Sequence, residues 1–150
     1  MIKKLLLLTL PLLMFACKDD KDMESPKIAG GETESPFNCQ TILRGGTLPV
    51  SFLLTDNEEL GSFNIEIHNN FDHHSHSTSA EDCPFDPDRE AVNPWIHNED
   101  TDIPAGLQSY TIDMEIAVPN DVDTGDYHFT VRVTDKAGWQ SFKAVSLKMR

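Results

Sequence analysis

Basic residues are few in this sequence, and their scarcity excludes one class of partner. The 150 residues include 12 Lys and Arg against 25 Asp and Glu, which gives a formal net charge of -13. A surface of this sign repels phosphate backbones and concentrates cations near it. We therefore expect no nucleic acid partner.

Signatures of catalysis are lacking as well. The sequence contains no HExxH, GxSxG, P-loop or glycine-rich dinucleotide motif, and no serine has an evident partner base. These absences predict that the protein is not an enzyme.

No apolar run in the N-terminal region is long enough to span a bilayer as a helix. The run at residues 5–15 instead has the length of the hydrophobic region of a signal peptide, and Lys3 and Lys4 precede it. Met-Phe-Ala-Cys at 14–17 resembles a bacterial lipobox, which predicts a lipoprotein signal peptide at 1–16 and a lipid on Cys17. In the alternative interpretation, an ordinary signal is cleaved and Cys17 is incidental.

Residues 17–35 are predicted to be the lipidated cysteine followed by a flexible acidic tether, because they are polar and have no periodic apolar pattern. Lys-Asp-Asp-Lys-Asp at 18–22 looks like the export tag of Bacteroidota lipoproteins. The predicted location is the outer membrane, lipid-anchored and exposed at the cell surface.

Three cysteines are present, and two remain once Cys17 is assigned to the lipid. An oxidising compartment favours a disulfide between Cys39 and Cys83. The alternatives are two free thiols, or thiolates that join histidines in a zinc site.

The apolar pattern alternates from residue 37 onward, and no segment has a helical period of useful length. The sequence therefore predicts one all-β domain at 36–150, an immunoglobulin-like seven-stranded β-sandwich. The predicted strands are 37–43, 47–55, 62–68, 92–96, 110–118, 127–134 and 141–148.

Asp-Thr-Gly-Asp-Tyr at 123–127 resembles the tyrosine corner that opens strand F of immunoglobulin-like domains. Strands C and F are neighbours in that fold, so residues 62–68 and 127–134 should pair. Alternation turns His68 and His128 away from the core, and we expect them on one outer sheet face, on adjacent strands.

Four of the six histidines lie within residues 68–76, together with Asp72. Neutral imidazole is a common ligand of zinc and copper, so this density favours a transition-metal site. The chain must turn back after His68, and Asn-Asn at 69–70 suits such a turn. The alternative is a mobile polar loop, about 69–91, that binds no metal.

The segments at 67–76, 125–129 and 134–139 (Ile-His-Asn-Asn-Phe-Asp-His-His-Ser-His, Gly-Asp-Tyr-His-Phe and Thr-Asp-Lys-Ala-Gly-Trp) resemble an uncharacterised family of Bacteroidota immunoglobulin-like surface lipoproteins with a domain of unknown function. The resemblance implies fold and location but no activity.

The leading hypothesis is a surface lipoprotein that binds zinc or copper and passes the ion to an outer-membrane transporter. Its ligands would be His68, His74, His76 and His128, assisted by His73 and Asp72. The rival hypothesis is an adhesion module that binds glycan or protein, in which the histidines recognise an extracellular ligand without metal. The loop carboxylates and both tryptophans are interpreted as solvated charge and as packing residues.

Overall fold

The computed structural model describes residues 21–29, 34–74 and 83–150, and all of their regular structure is β. This part of the chain contains no helix that could cross a membrane. Its eight strands, one more than predicted, are β1 Lys27–Ala29, β2 Gln40–Ile42, β3 Thr47–Thr55, β4 Leu60–Asn69, β5 His97–Asp102, β6 Ser109–Ala117, β7 Gly125–Asp135 and β8 Gln140–Met149.

The strands form two sheets, with orders β1-β3-β6 and β2-β8-β7-β4-β5. Strand β2 runs parallel to β8, and the other pairs are antiparallel. The apolar residues that alternate along β3 and β7 form one buried cluster between the sheets, in which the rings of Phe52 and Phe129 stack with centroids 5.8 Å apart. The all-β prediction is confirmed, and the two layers are consistent with a β-sandwich.

The predicted strand at 92–96 is wrong, because the strand in this region is β5, which begins at His97. Val92 and Ile96 are exposed, and the backbone amide of Val92 donates to the carboxylate of Asp123 instead of to a neighbouring strand. Strand β5 is polar because it lies at a sheet edge, where it pairs only with β4.

The segment expected to be a tether contains a strand. Lys27–Ala29 pairs antiparallel with β3, and Ser35 forms a bridge with Ser51. Part of residues 17–35 therefore belongs to the three-stranded sheet.

The hydroxyl of Tyr127, near the start of β7, hydrogen-bonds to the backbone of two other parts of the chain. Its hydroxyl donates to the carbonyl of Asp123 at 2.8 Å and accepts the amide of Trp95 at 3.1 Å. Burial raises the pKa of the Tyr127 hydroxyl, so it remains a neutral donor near pH 7.

Replacing Tyr127 with Phe is expected to lower the free energy of unfolding by about 2 kcal/mol, because the buried Trp95 amide loses its acceptor. Urea denaturation measures the change. Tyr110→Phe is the control, since Tyr110 is only partly buried and its ring packs on Phe63. Equal losses in the two variants would contradict the role given to the Tyr127 hydroxyl.

The segment that begins at Cys83 covers part of the outer face of the five-stranded sheet. A disulfide joins Cys83 to Cys39, so the predicted bridge is confirmed. Lys148, on β8, donates to the carbonyl of Pro84 and forms an ion pair with Asp126. The side chains of Lys148 and Asp126 are both nearly buried. This cover explains why polar side chains on the outer face of β7 and β8 are shielded from water.

Candidate metal centre

His68 and His128 lie directly opposite each other on β4 and β7. Their ring centroids are 5.6 Å apart, and His128 is only 5 % exposed. The prediction that these two histidines share the outer face on adjacent strands is confirmed. Two imidazoles from distant parts of the sequence are thus held by a rigid hydrogen-bonded ladder.

The chain turns back immediately after β4. The amide of Asn70 donates to the carbonyl of Asp126, and the amide of His73 donates to the carbonyl of Asn70, which closes a tight turn. His73 has a positive φ of 53°. Phe71 is buried beside Gly125, where an added Cβ would lie 3.0 Å from the ring, so glycine leaves room for the residue that anchors the turn.

This turn returns His74 to the pair of rings on the sheet. The Nε2 atoms of His74 and His68 are 3.3 Å apart, and the two rings stack with centroids 5.4 Å apart. The ring of His74 is 5.2 Å from that of His128, whose Nε2 lies 3.3 Å from the His74 carbonyl. The rings of three of the four predicted principal ligands therefore lie together, and His68 and His74 bring their Nε2 atoms close enough to share one ion.

Carboxylate oxygens lie beside the Nδ1 atoms of two of these rings. Asp72 Oδ1 lies 2.5 Å from Nδ1 of His74, and Glu66 Oε1 lies 3.2 Å from Nδ1 of His68. The hydrogen bond with His74 lowers the pKa of the Asp72 carboxyl, so Asp72 is an acceptor at neutral pH. The Asp72 hydrogen bond therefore favours the tautomer of His74 in which Nδ1 carries the proton and Nε2 carries the lone pair, and Glu66 places a negative charge beside Nδ1 of His68.

Two Nε2 lone pairs at 3.3 Å repel each other unless a cation lies between them. That cation is either a shared proton or a metal ion. Ligand nitrogens bound at about 2.0–2.1 Å in a tetrahedral site are roughly 3.3–3.4 Å from each other. The separation of the His68 and His74 nitrogens therefore matches two ligands of one zinc-sized ion.

The other two histidines of the described residues, His73 and His97, lie elsewhere. The ring of His73 points towards the covering segment, where it stacks on Phe85 at 4.2 Å and pairs with Asp88 at 2.5 Å. His97 pairs with Glu99 at the sheet edge. Neither ring is brought to the three histidines, so the assisting role predicted for His73 is not what this geometry favours.

Two predicted site residues, Cys17 and His76, lie outside the described residues. Trp95 is buried, as its interpretation as a packing residue requires, whereas Trp139 is 41 % exposed at the β7–β8 turn. Sequence reasoning missed the role of Glu66. The signal was present, because strand alternation places residues 66 and 68 on the same face.

Comparison with known proteins assigns the chain to a family. A family model described as a domain of unknown function, DUF4625, matches residues 15–150. The chain belongs to this family. No curated protein matches it. The family carries no described activity, so inferences about function depend on the geometry of the histidines and their partners.

Proposed function

We propose that the protein binds a divalent transition metal, zinc or copper, through His68, His74 and His128. The observation that supports this most is the 3.3 Å separation of the His68 and His74 Nε2 atoms, with both Nδ1 atoms engaged by carboxylates. His128 lies beside this pair, with its ring 5.6 Å from that of His68 and 5.2 Å from that of His74. The sequence adds His76 as a fourth ligand.

Each carboxylate has a positioning role in this proposal. Asp72 orients the ring of His74 through a hydrogen bond, and the negative charges of Asp72 and Glu66 increase the basicity of the ligating nitrogens. Both carboxylates lie on the Nδ1 side of the rings, away from the Nε2 atoms that would bind the ion, so neither is poised as a general base for a metal-bound water. We therefore propose metal capture without catalysis.

We also propose that the sandwich is immunoglobulin-like. The Tyr127 hydroxyl bonds to the backbone four residues upstream, as in a tyrosine corner, and β4 and β7 pair as strands C and F do. The sequence features at 1–22 support a lipid anchor on Cys17 in the outer membrane and exposure at the cell surface. An outer-membrane transporter that receives the ion is the partner proposed for that location.

Calorimetric titration of the purified protein with zinc and with copper tests the metal proposal. We expect a dissociation constant below about 1 μM near pH 7.5, weakened by on the order of 100-fold or more near pH 5.5. The histidine side chain has a reference pKa of about 6.5 in model peptides, so protons compete with metal for ring nitrogens at the lower pH.

Two results of this titration would count against metal capture. One is the absence of binding heat near pH 7.5, and the other is an affinity that does not change with pH. Either would favour the rival hypothesis, in which the histidines contact an extracellular ligand directly.

A further inference from the structure

A second group of ligand atoms lies at the opposite end of β7 from His128. Asp135 ends β7, Asp56 follows β3 and Asp22 precedes β1. One carboxylate oxygen from each of the three lies within 4.8 Å of the others. The three residues are distant in sequence, and the topology brings them together where β3 and β7 end.

In each of these carboxylates, one oxygen accepts hydrogen bonds from two amide groups. Asp135 Oδ1 accepts the amides of Gly138 and Trp139, at 2.6 and 2.8 Å. Asp56 Oδ2 accepts the amides that follow it, from Glu58 and Glu59. Asp22 Oδ1 accepts the Glu24 amide and the side-chain amide of Asn57, which lowers the pKa of its carboxyl.

The second oxygen of two of these carboxylates is buried without a partner. Asp135 is only 4 % exposed, and no described residue donates a hydrogen bond to its Oδ2. Asp56 is only partly buried, but its Oδ1 atom is also shielded from water and accepts no hydrogen bond from a described residue. A buried carboxylate oxygen with no donor is costly, because burial removes the water that would stabilise its charge.

These three carboxylates have no ion-pair partner among the described residues. None of the Lys, Arg and His residues in these ranges forms an ion pair with Asp22, Asp56 or Asp135. Neighbouring Glu58 and Glu59 share a surface pocket with Asp22 and Lys136, so the local field favours cations even with one lysine nearby.

We propose that Asp22, Asp56 and Asp135 form a binding site for a hard divalent cation, Ca²⁺. All of the donors are oxygens, which Ca²⁺ prefers and which zinc and copper prefer less than imidazole. Oxygens that bind one Ca²⁺ at about 2.3–2.6 Å can be as far as roughly 5 Å apart, so a spread within 4.8 Å is compatible. Water completes the coordination from the open side.

Such an ion would join three segments at the place where their carboxylates meet. Asp22 lies in the N-terminal segment, where its carbonyl also accepts Nε1–H of Trp139 at 3.0 Å. Calcium would therefore fasten the N-terminal segment to the ends of β3 and β7. This site is independent of the histidines in both residues and ligand chemistry.

Terbium is a suitable probe because it replaces Ca²⁺ and accepts excitation energy from a nearby indole. Trp139 contacts both Asp22 and Asp135. We expect excitation of tryptophan in the purified protein to produce terbium emission that Ca²⁺ displaces. We also expect Ca²⁺ to raise the midpoint of thermal unfolding.

Asp135→Asn tests the site with little disturbance of the turn, because the amide oxygen can still accept from Gly138 and Trp139. We expect at least about a tenfold loss of Ca²⁺ affinity and loss of the calcium-dependent thermal shift. In the absence of calcium the same variant should unfold at a higher temperature than the parent, because repulsion between carboxylates is reduced.

Asp56→Asn should reproduce this pattern, and Asp113→Asn, an exposed change of equal charge on β6, should leave Ca²⁺ binding unchanged. Parent protein that shows neither terbium emission nor a calcium-dependent shift would overturn the proposal. Equal loss of affinity in Asp113→Asn would also overturn it, because general surface charge would then explain the binding.

Discussion

Replacing His68 with Ala is expected to weaken zinc binding by about 100-fold or more. Loss of an outer-sphere partner alone typically costs 10- to 100-fold, and His68 supplies a ligand atom in the proposed site. Nε2 of His74 would then lack the nitrogen that faces it at 3.3 Å. Titration with zinc, in competition with a chelator of known affinity, measures the change.

Asp72→Ala removes the carboxylate that orients the His74 ring and leaves the ligating ring in place. Asp72 touches only the Nδ1 side of the His74 ring, so we expect a smaller loss of zinc affinity, about 10- to 100-fold. His97→Ala is the control, since this histidine pairs with Glu99 away from the three rings. Zinc affinity that falls equally in His68→Ala and His97→Ala would refute the assignment of ligands.

Removing the disulfide is expected to have the largest effect on stability. With Cys39 and Cys83 both changed to Ala, we expect the free energy of unfolding to fall by about 4 kcal/mol, because the bridge closes a loop over a separation of 44 residues. Guanidinium denaturation measures this loss. The reduced parent protein should unfold like the variant, which distinguishes loss of the bridge from an effect of the substitutions.

The bridge also holds the covering segment in place. Without it, Pro84 and Asp86 remain attached to the sheet through Lys148, Arg150 and the carboxylate of Asp126, which accepts the Asp86 amide. A loss of less than about 1 kcal/mol would contradict this expectation, and would mean that the unfolded chain is already compact without the bridge.

The parts of the fold that were predictable depend on a period of two. Inward-facing Phe129, Val131 and Val133 are all fully buried, and this alternation correctly assigned His128 to the opposite face. Pairing with His68 followed from the likeness of residues 123–127 to a tyrosine corner, which indicated which strands are neighbours.

The parts that failed depend on contacts that sequence spacing does not contain. Val92 and Ile96 looked like strand residues because they are apolar, yet the edge position of β5 permits a polar strand instead. His73 could not be separated from His74 by pattern, because its left-handed backbone is what turns the ring towards Asp88. Asp135 had no sequence signal as a ligand, since its partners are far away in the chain.

The central position of β7 has a mechanical consequence. This strand is hydrogen-bonded along both edges, to β4 and β8, and a slip of one residue would exchange its inward and outward faces. His128 and Asp135 are seven residues apart on it, which corresponds to about 23 Å of extended chain. The strand is therefore a stiff spacer that keeps the histidines and the carboxylates at a constant distance. A force applied at either group is distributed over the hydrogen bonds of the whole sheet.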